Sequence, residues 1–181
     1  MDRPYRVCVV CTGNICRSPM AEYLLREAFT EAGLDGLVEV ESAGTSAEEL
    51  GNPIDPRAAE ALDRHGHHGL DWAEHRARRF EGSWFAGLDL VLAADSWHER
   101  TLARLAPTEA DRAKVAMLRS FDPEADDLDI EDPWYAGRAA FDRTHAELTA
   151  AVPGIVDHVC GALAEAGRLP TRPEGVPDAR A

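Results

Sequence analysis

Long hydrophobic runs are missing from this chain, and so is any excess of positive charge. No apolar stretch in its 181 residues approaches the ~20 needed to cross a bilayer. The opening MDRPYRVCVV holds an apolar run too short for a signal peptide, with no small-residue cleavage site after it. The expected location is the cytoplasm, with no membrane partner; export without a signal peptide would leave no trace here. Lysine and arginine total 19 against 33 aspartates and glutamates, a formal net charge of −14. Duplex binding needs a basic face, so nucleic acid is not an expected partner. Cysteine is sparse too: Cys8, Cys11, Cys16 and Cys160 match no disulfide framework. Each is then either a small buried hydrophobe or a reactive thiol, and the two must be separated one cysteine at a time. There is no internal repeat. The length suits one domain that buries its core without disulfides or structural metal, and no cofactor is expected.

What is present alternates between two periods. YRVCVV (5–10) reads as a strand buried on both faces. Ser18-Pro19 then reads as a helix start, serine as cap and proline in the first turn, with a stop near Gly33. Further strands are expected at 37–44, 88–95 and 114–121. Helices are expected at 55–66, capped by Asp55, at 96–106, and at 138–151 and 154–167. Val152-Pro153-Gly154 either separates the last two or kinks them. Alternation of this kind predicts an α/β fold: a three-layer sandwich with a central four-stranded parallel sheet, helices on both faces and a phosphate-binding loop after strand 1. The domain is expected to span 1–167. The Pro-, Gly- and charge-rich tail 168–181 is expected to be disordered, and the acidic 122–133 reads as a loop.

The chemistry concentrates in VVCTGNICRSPMAE (9–22). In an open parallel sheet, ligands bind where a strand ends and a helix begins, and residues 11–18 fall at such a place. Gly13 gives the backbone room to turn and approach a ligand. Successive N–H groups from Thr12, Gly13, Asn14, Ile15 and Cys16, with the helix N-terminus behind them, can converge on an anion. Arg17 adds a planar fork matched to two phosphate oxygens. Cys11 then lies at the base of a phosphate cradle, where helix end, amide nest and guanidinium all favour a thiolate. A thiolate beneath a bound phosphate is set for in-line attack on phosphorus. Cys-x5-Arg alone recurs by chance; placed between strand and helix, with Gly13, it is a strong signal.

VCTGNICRSPMAE resembles the active-site signature of the low-molecular-weight protein-tyrosine phosphatases, closest to the actinobacterial type. SAGT (42–45), DPRA (55–58), HRARR (75–79), DLVLAAD (89–95), MLRSFDP (117–123) and EDPWY (131–135) follow in that family's order over about 5–165. The resemblance implies a phosphotyrosine phosphatase with a phosphocysteine intermediate, acting on phosphotyrosine-containing proteins as a monomer. It implies Cys11 as nucleophile, Arg17 as clamp and Asp132 as general acid; composition alone could not select Asp132 from its acidic neighbours. Dense neighbouring carboxylates would help keep that acid protonated. Asn14, Ser18, Ser42 and His75 would brace the loop, and Cys16 would form a protective disulfide with Cys11 under oxidation.

The chain departs from the family pattern at two walls. Trp134-Tyr135 stands where a tyrosine pair is common, and Glu48 falls near the place of a tryptophan. One aromatic wall is kept, and a carboxylate replaces the other. Two enzymatic alternatives share the scaffold. A phosphoarginine phosphatase would carry threonine where Ile15 stands, and a thiol-dependent arsenate reductase would need relay cysteines that residues 75–100 lack. A non-catalytic phosphate-binding module would not need Cys11, Arg17 and Asp132 together. His65, His67, His68 and His75 crowd one stretch, but their spacing matches no zinc motif, and the first three read as solvated. Cys8 and Cys160 read as inert core residues.

Overall fold

The computed structural model describes residues 3–68 and 71–169. Four parallel strands make one sheet in the order β2-β1-β3-β4. They are β1 (Tyr5–Cys11), β2 (Val38–Gly44), β3 (Leu90–Ala93) and β4 (Val115–Met117). The helices are α1 (Arg17–Glu31), α2 (Pro56–Arg64), α3 (Ser96–Leu105), the short α4 (Glu109–Arg112) and α5 (Arg138–Glu165). The β1 side chains alternate between two cores, as the strand period requires. Val7 and Val9 join Leu25, Leu62 and Phe141 beneath α1, α2 and α5. Cys8 and Val10 join Phe80, Phe85 and Leu102 on the α3 side. This is the expected three-layer parallel α/β architecture. It directs the C-terminal ends of β1, β2 and β3 to one edge, where the loop after β1 opens.

Four local expectations need correction. Helix α1 begins at Arg17, with Cys16 in the cap position and no side-chain cap. The Ser18 hydroxyl serves the loop instead, bonding Asn14 and Cys11. The fourth strand is three residues long, and Leu118–Phe121 forms a 3₁₀ turn. The Val152-Pro153-Gly154 break does not occur: α5 runs unbroken through Pro153. Gly154 answers a different need, because a Cβ there would lie 2.1 Å from the Phe121 carbonyl oxygen. The glycine permits close packing of helix on turn, while Pro153 forfeits one helical hydrogen bond. Finally, Cys160 is half-buried and packs against the core edge, whereas Cys8 is fully buried. Residues 170–181, most of the proposed tail, lie outside the described residues. Among the described residues no helix is long and apolar enough to cross a membrane.

Candidate active site

The loop between β1 and α1 is braced from behind. Asn14 is fully buried and is the one described non-glycine residue in the left-handed region, at φ 58°. The turn anticipated at Gly13 is therefore made at Asn14, a residue type whose short amide tolerates that conformation. Its Nδ2 donates to Ser18 Oγ (2.9 Å) and Ser42 Oγ (2.8 Å), and its Oδ1 accepts from the Arg78 N–H (2.9 Å). His75 Nε2 donates to the Asn14 carbonyl (2.7 Å). Burial pushes the His75 imidazole below its ordinary pKa against the opposing pull of that carbonyl, which favours the neutral tautomer with hydrogen on Nε2. The Ser42 hydroxyl donates a hydrogen bond to Glu22, which also pairs with Arg26. Gly44, the last residue of β2, touches the loop backbone: a Cβ there would lie 2.5 Å from the Thr12 carbonyl oxygen. Ser18 Oγ lies 3.0 Å from Cys11 Sγ and 3.3 Å from the Ala43 carbonyl. With Asn14 donating to its lone pair, its one proton goes either to the Ala43 carbonyl or to sulfur.

Arg17 is 3% exposed and heavily engaged. Nη1 donates to Asp95 Oδ2 (3.0 Å) and the Ile130 carbonyl (2.9 Å). Nη2 donates to Asp132 Oδ2 (2.9 Å) and Thr12 Oγ1 (3.3 Å). Its Nε has no hydrogen-bond partner among the described residues, an unmet need that an oxyanion would satisfy. Asp95 is the fixed anchor of this guanidinium. Its Oδ1 accepts from the N–H groups of Trp97 and His98 at the start of α3 (both 2.9 Å). The His98 Nδ1 lies 2.9 Å from the same oxygen, an ion-pair contact rather than an aligned hydrogen bond. Burial alone would raise the Asp95 carboxyl; His98 and Arg17 outweigh it and hold the group well below the usual carboxylate range. The buried His98 reaches Thr12 Oγ1 through Nε2 (2.9 Å), so a single cluster fixes both the loop threonine and the clamp.

Asp132 caps the 3₁₀ turn Pro133–Tyr135 through the Trp134 N–H (3.2 Å) and holds Arg17 with its other oxygen. That turn is tied down by Arg57, whose Nη1 donates to the carbonyls of Trp134 (3.0 Å) and Ala136 (3.4 Å). Arg57 also grips Asp55 through Nε and Nη2 (3.0 and 2.7 Å) and lies 4.8 Å over the Phe141 ring. Asp55 caps α2 as expected, accepting from the Arg57 N–H (2.9 Å), and its own N–H donates to the Ile15 carbonyl (2.8 Å). Burial tends to raise the Asp55 carboxyl, but Arg57 prevails and lowers it; a hydrogen bond with Cys16 acts in the same direction. Burial pushes the Cys16 thiol far up, with the charges of Asp55, Cys11 and Asp132 adding to it.

These elements line one open cleft. Cys11, Thr12, Gly13, Ile15, Cys16 and Arg17 line its floor, with Asp132, Trp134 and Tyr135 on one side and Ser46, Glu48 and Glu49 among its lining. Trp134 and Tyr135 meet edge to face at 4.8 Å and remain exposed, 42% and 87%. Of the residues anticipated around the phosphate, Thr12, Gly13, Ile15, Cys16 and Arg17 line the cleft, whereas Asn14 and Ser18 are fully buried and stand behind the loop with Ser42 and His75. Sequence reasoning did not assign roles to Asp95, His98, Arg57, Arg78, Glu22 or Glu49. Only Asp95 left a usable signal, as an acid ending the strand beside β1.

The histidine-rich stretch belongs elsewhere. His67 bonds Glu27 (2.5 Å) and His145 (2.9 Å), and His65 stacks on His145 at 4.0 Å. His67 is half-buried rather than solvated, while His65, though stacked, and His68 are exposed. Among the described residues no three His, Cys, Asp or Glu side chains form a group that could hold a metal ion.

A buried guanidinium and a strand-end thiol at the helix side of a parallel sheet define an anion-binding α/β protein with a cysteine in its cradle. The chain belongs to the family described as "Low molecular weight phosphotyrosine protein phosphatase", whose sequence model matches residues 6–165. It is 53% identical over 154 residues to a low molecular weight protein-tyrosine-phosphatase of Streptomyces coelicolor, covering 84% of this chain and 92% of that one. It is 41% identical over 169 residues to low molecular weight protein-tyrosine phosphatase A of Mycobacterium tuberculosis, covering 92% and 99%. Among solved structures, the low molecular weight enzyme from T. tengcongensis superposes with a TM-score of 0.73 at 34% identity, covering 85% and 99%. A protein tyrosine phosphatase from Entamoeba histolytica, with Hepes in its active site, gives 0.79 at 25% identity, covering 91% and 99%.

Proposed function

We propose that the protein hydrolyses phosphotyrosine in protein substrates through a phosphocysteine intermediate, without a metal. The observation that carries the reading is the meeting of Cys11, Arg17 and Asp132 in one cleft, with Arg17 Nε unpartnered. The Cys11 thiolate attacks phosphorus; the P–O ester bond breaks, and the departing phenolate takes a proton from Asp132. Asp132 then accepts a proton from a water that attacks the phosphocysteine, the P–S bond breaks, and phosphate leaves. The loop N–H groups and Arg17 hold the equatorial oxygens. Ser18, 3.0 Å from sulfur, stabilises the thiolate as it departs. Asn14, Ser42 and His75 keep the loop in shape.

Ile15, apolar and lining the cleft, supports an aryl rather than a guanidino substrate. Trp134 and Tyr135 supply an aromatic wall, and Glu48 a carboxylate wall. The reading includes a domain over 1–167, cytoplasmic location and action as a monomer, with no membrane partner. The −14 net charge argues against a nucleic-acid partner.

The test is aryl phosphate hydrolysis in excess EDTA. Wild type should turn over and Cys11→Ser should not; full activity in the mutant, or none in the wild type, sinks the proposal. Asp132→Ala should lose most activity on phosphotyrosine and less on phosphates of acidic phenols. Turnover of phosphotyrosine and phosphoarginine, measured side by side, separates the two substrate readings.

A further inference from the structure

We propose that the preferred substrates carry a basic residue within about three positions of the phosphotyrosine, received by an acidic groove that continues from the phosphate cleft past Asp132 to Trp97; this rests on the function proposed above. The groove is a separate, open hollow that shares Thr12, Arg17 and Asp132 with the cleft. Asp127, Asp129 and Glu131 line it, with Trp97 half exposed at 51%. The single cation lining either hollow is Arg17, which is buried and carries the unpartnered Nε that points to the phosphate itself.

The acids of this rim differ in what they have left to offer. Asp95 is committed to Arg17 and α3, and Asp129 to the N–H and hydroxyl of Ser96 (2.7 and 3.1 Å). Asp127 accepts one bond, from the Asp129 N–H, and Glu131 has a long 3.4 Å contact with an exposed Arg143. Across the cleft, the Glu48 carboxylate has no hydrogen-bond or ion-pair partner among the described residues. A dianionic phosphate must therefore enter through a ring of carboxylates on a chain of net charge −14. A cleft lined by one sign of charge selects its complement, so an arginine or lysine beside the phosphotyrosine offsets that repulsion. Trp97 and Trp134 offer aromatic surface to such a cation. An extended peptide advances ~3.3 Å per residue, which brings the neighbouring one to three side chains into the groove.

The experiment compares kcat/KM for matched phosphotyrosine peptides with arginine, neutral or glutamate flanks, and for a small aryl phosphate. For wild type at low ionic strength, the arginine peptide should exceed the neutral one by about five- to tenfold, from two or so screened contacts. The advantage should shrink in high salt. The double variant Asp127→Asn/Glu131→Gln should lose most of that advantage, read as the ratio of arginine to neutral peptide, with its aryl phosphate turnover recording any separate effect on Asp132. Glu109→Gln, a remote exposed charge on α4, should keep both. Equal kcat/KM for arginine and neutral peptides overturns the inference while leaving the phosphatase reading intact. An equal loss in the groove and remote variants overturns it as well, since net charge alone would then explain the preference. Absence of turnover on every peptide and on the aryl phosphate overturns both.

Discussion

Replacing Asn14 separates two contributions to the shape of the phosphate loop. Asn14→Ala removes three side-chain hydrogen bonds, those to Ser18, Ser42 and the Arg78 N–H. At about 1 kcal/mol each, that is about 3 kcal/mol. It also leaves an alanine at φ 58°, which costs roughly 1 kcal/mol more. The expected loss is about 4 kcal/mol. Asn14→Gly loses the same bonds but adopts the left-handed conformation freely, so after its extra unfolded-state entropy it should be about 0.5 kcal/mol less destabilised than alanine. Urea unfolding reads both. With a slope of about 2 kcal/mol per molar, the midpoint should fall by about 2 M for alanine and about 1.8 M for glycine. Both variants should lose aryl phosphate turnover, because the loop N–H groups no longer converge. If both lose under 1 kcal/mol, the buried network does not hold the loop. If alanine and glycine are equal, no conformational strain resides at position 14.

Three further outcomes follow from the same geometry. Arg57→Ala frees the Trp134 and Ala136 carbonyls and should lower kcat about tenfold for phosphates of poor leaving groups, with a smaller loss for good ones; a loss independent of leaving group would show that Arg57 does not position Asp132. Peroxide should convert Cys11 to a sulfenic acid that Cys16 captures as a disulfide with release of water, reversible by dithiothreitol. Mass spectrometry showing only sulfinic or sulfonic Cys11 would refute this, and the high Cys16 pKa predicts faster closure in alkaline buffer. Burial, with His65 and His67 beside it, depresses His145 to about 4, against the opposing charge of Asp142. The unfolded chain binds that proton below ~6.5, and the folded one only near 4. Stability should therefore fall as pH drops through this window, and His145→Gln should flatten that part of the urea-midpoint profile; an unchanged slope would count against it.

The loop between β1 and α1 was readable because it is local. Cys11 and Arg17 belong to one strand-loop-helix unit, whose period change and spacing survive in the linear sequence. Asp132 was readable only through resemblance, since an acid among acids carries no signal until the fold brings it to Arg17. Asp95, His98 and Arg57 act through partners 77 to 86 positions away, a separation at which periodicity says nothing. Ser18 misled for a related reason: Ser-Pro suggests local capping, yet its hydroxyl is used in tertiary contacts with Cys11 and Asn14. Gly154 misled likewise, because a glycine that lets a carbonyl approach looks in sequence like one that ends a helix.

The packing of Gly154 against Phe121 bears on how the enzyme can vary in length. Gly154 pins the chain just before the acidic stretch. Ile130, bonded through its N–H to Ala94 and through its carbonyl to Arg17, pins it again just before Asp132. Between these pins, residues 122–129 are mostly exposed and bond chiefly among themselves and to Ser96. Insertions or deletions confined to Pro123–Leu128 can then be absorbed as a longer or shorter bow, without moving Asp132. Relatives should differ in length there, and the same change placed between Ile130 and Asp132 should abolish turnover.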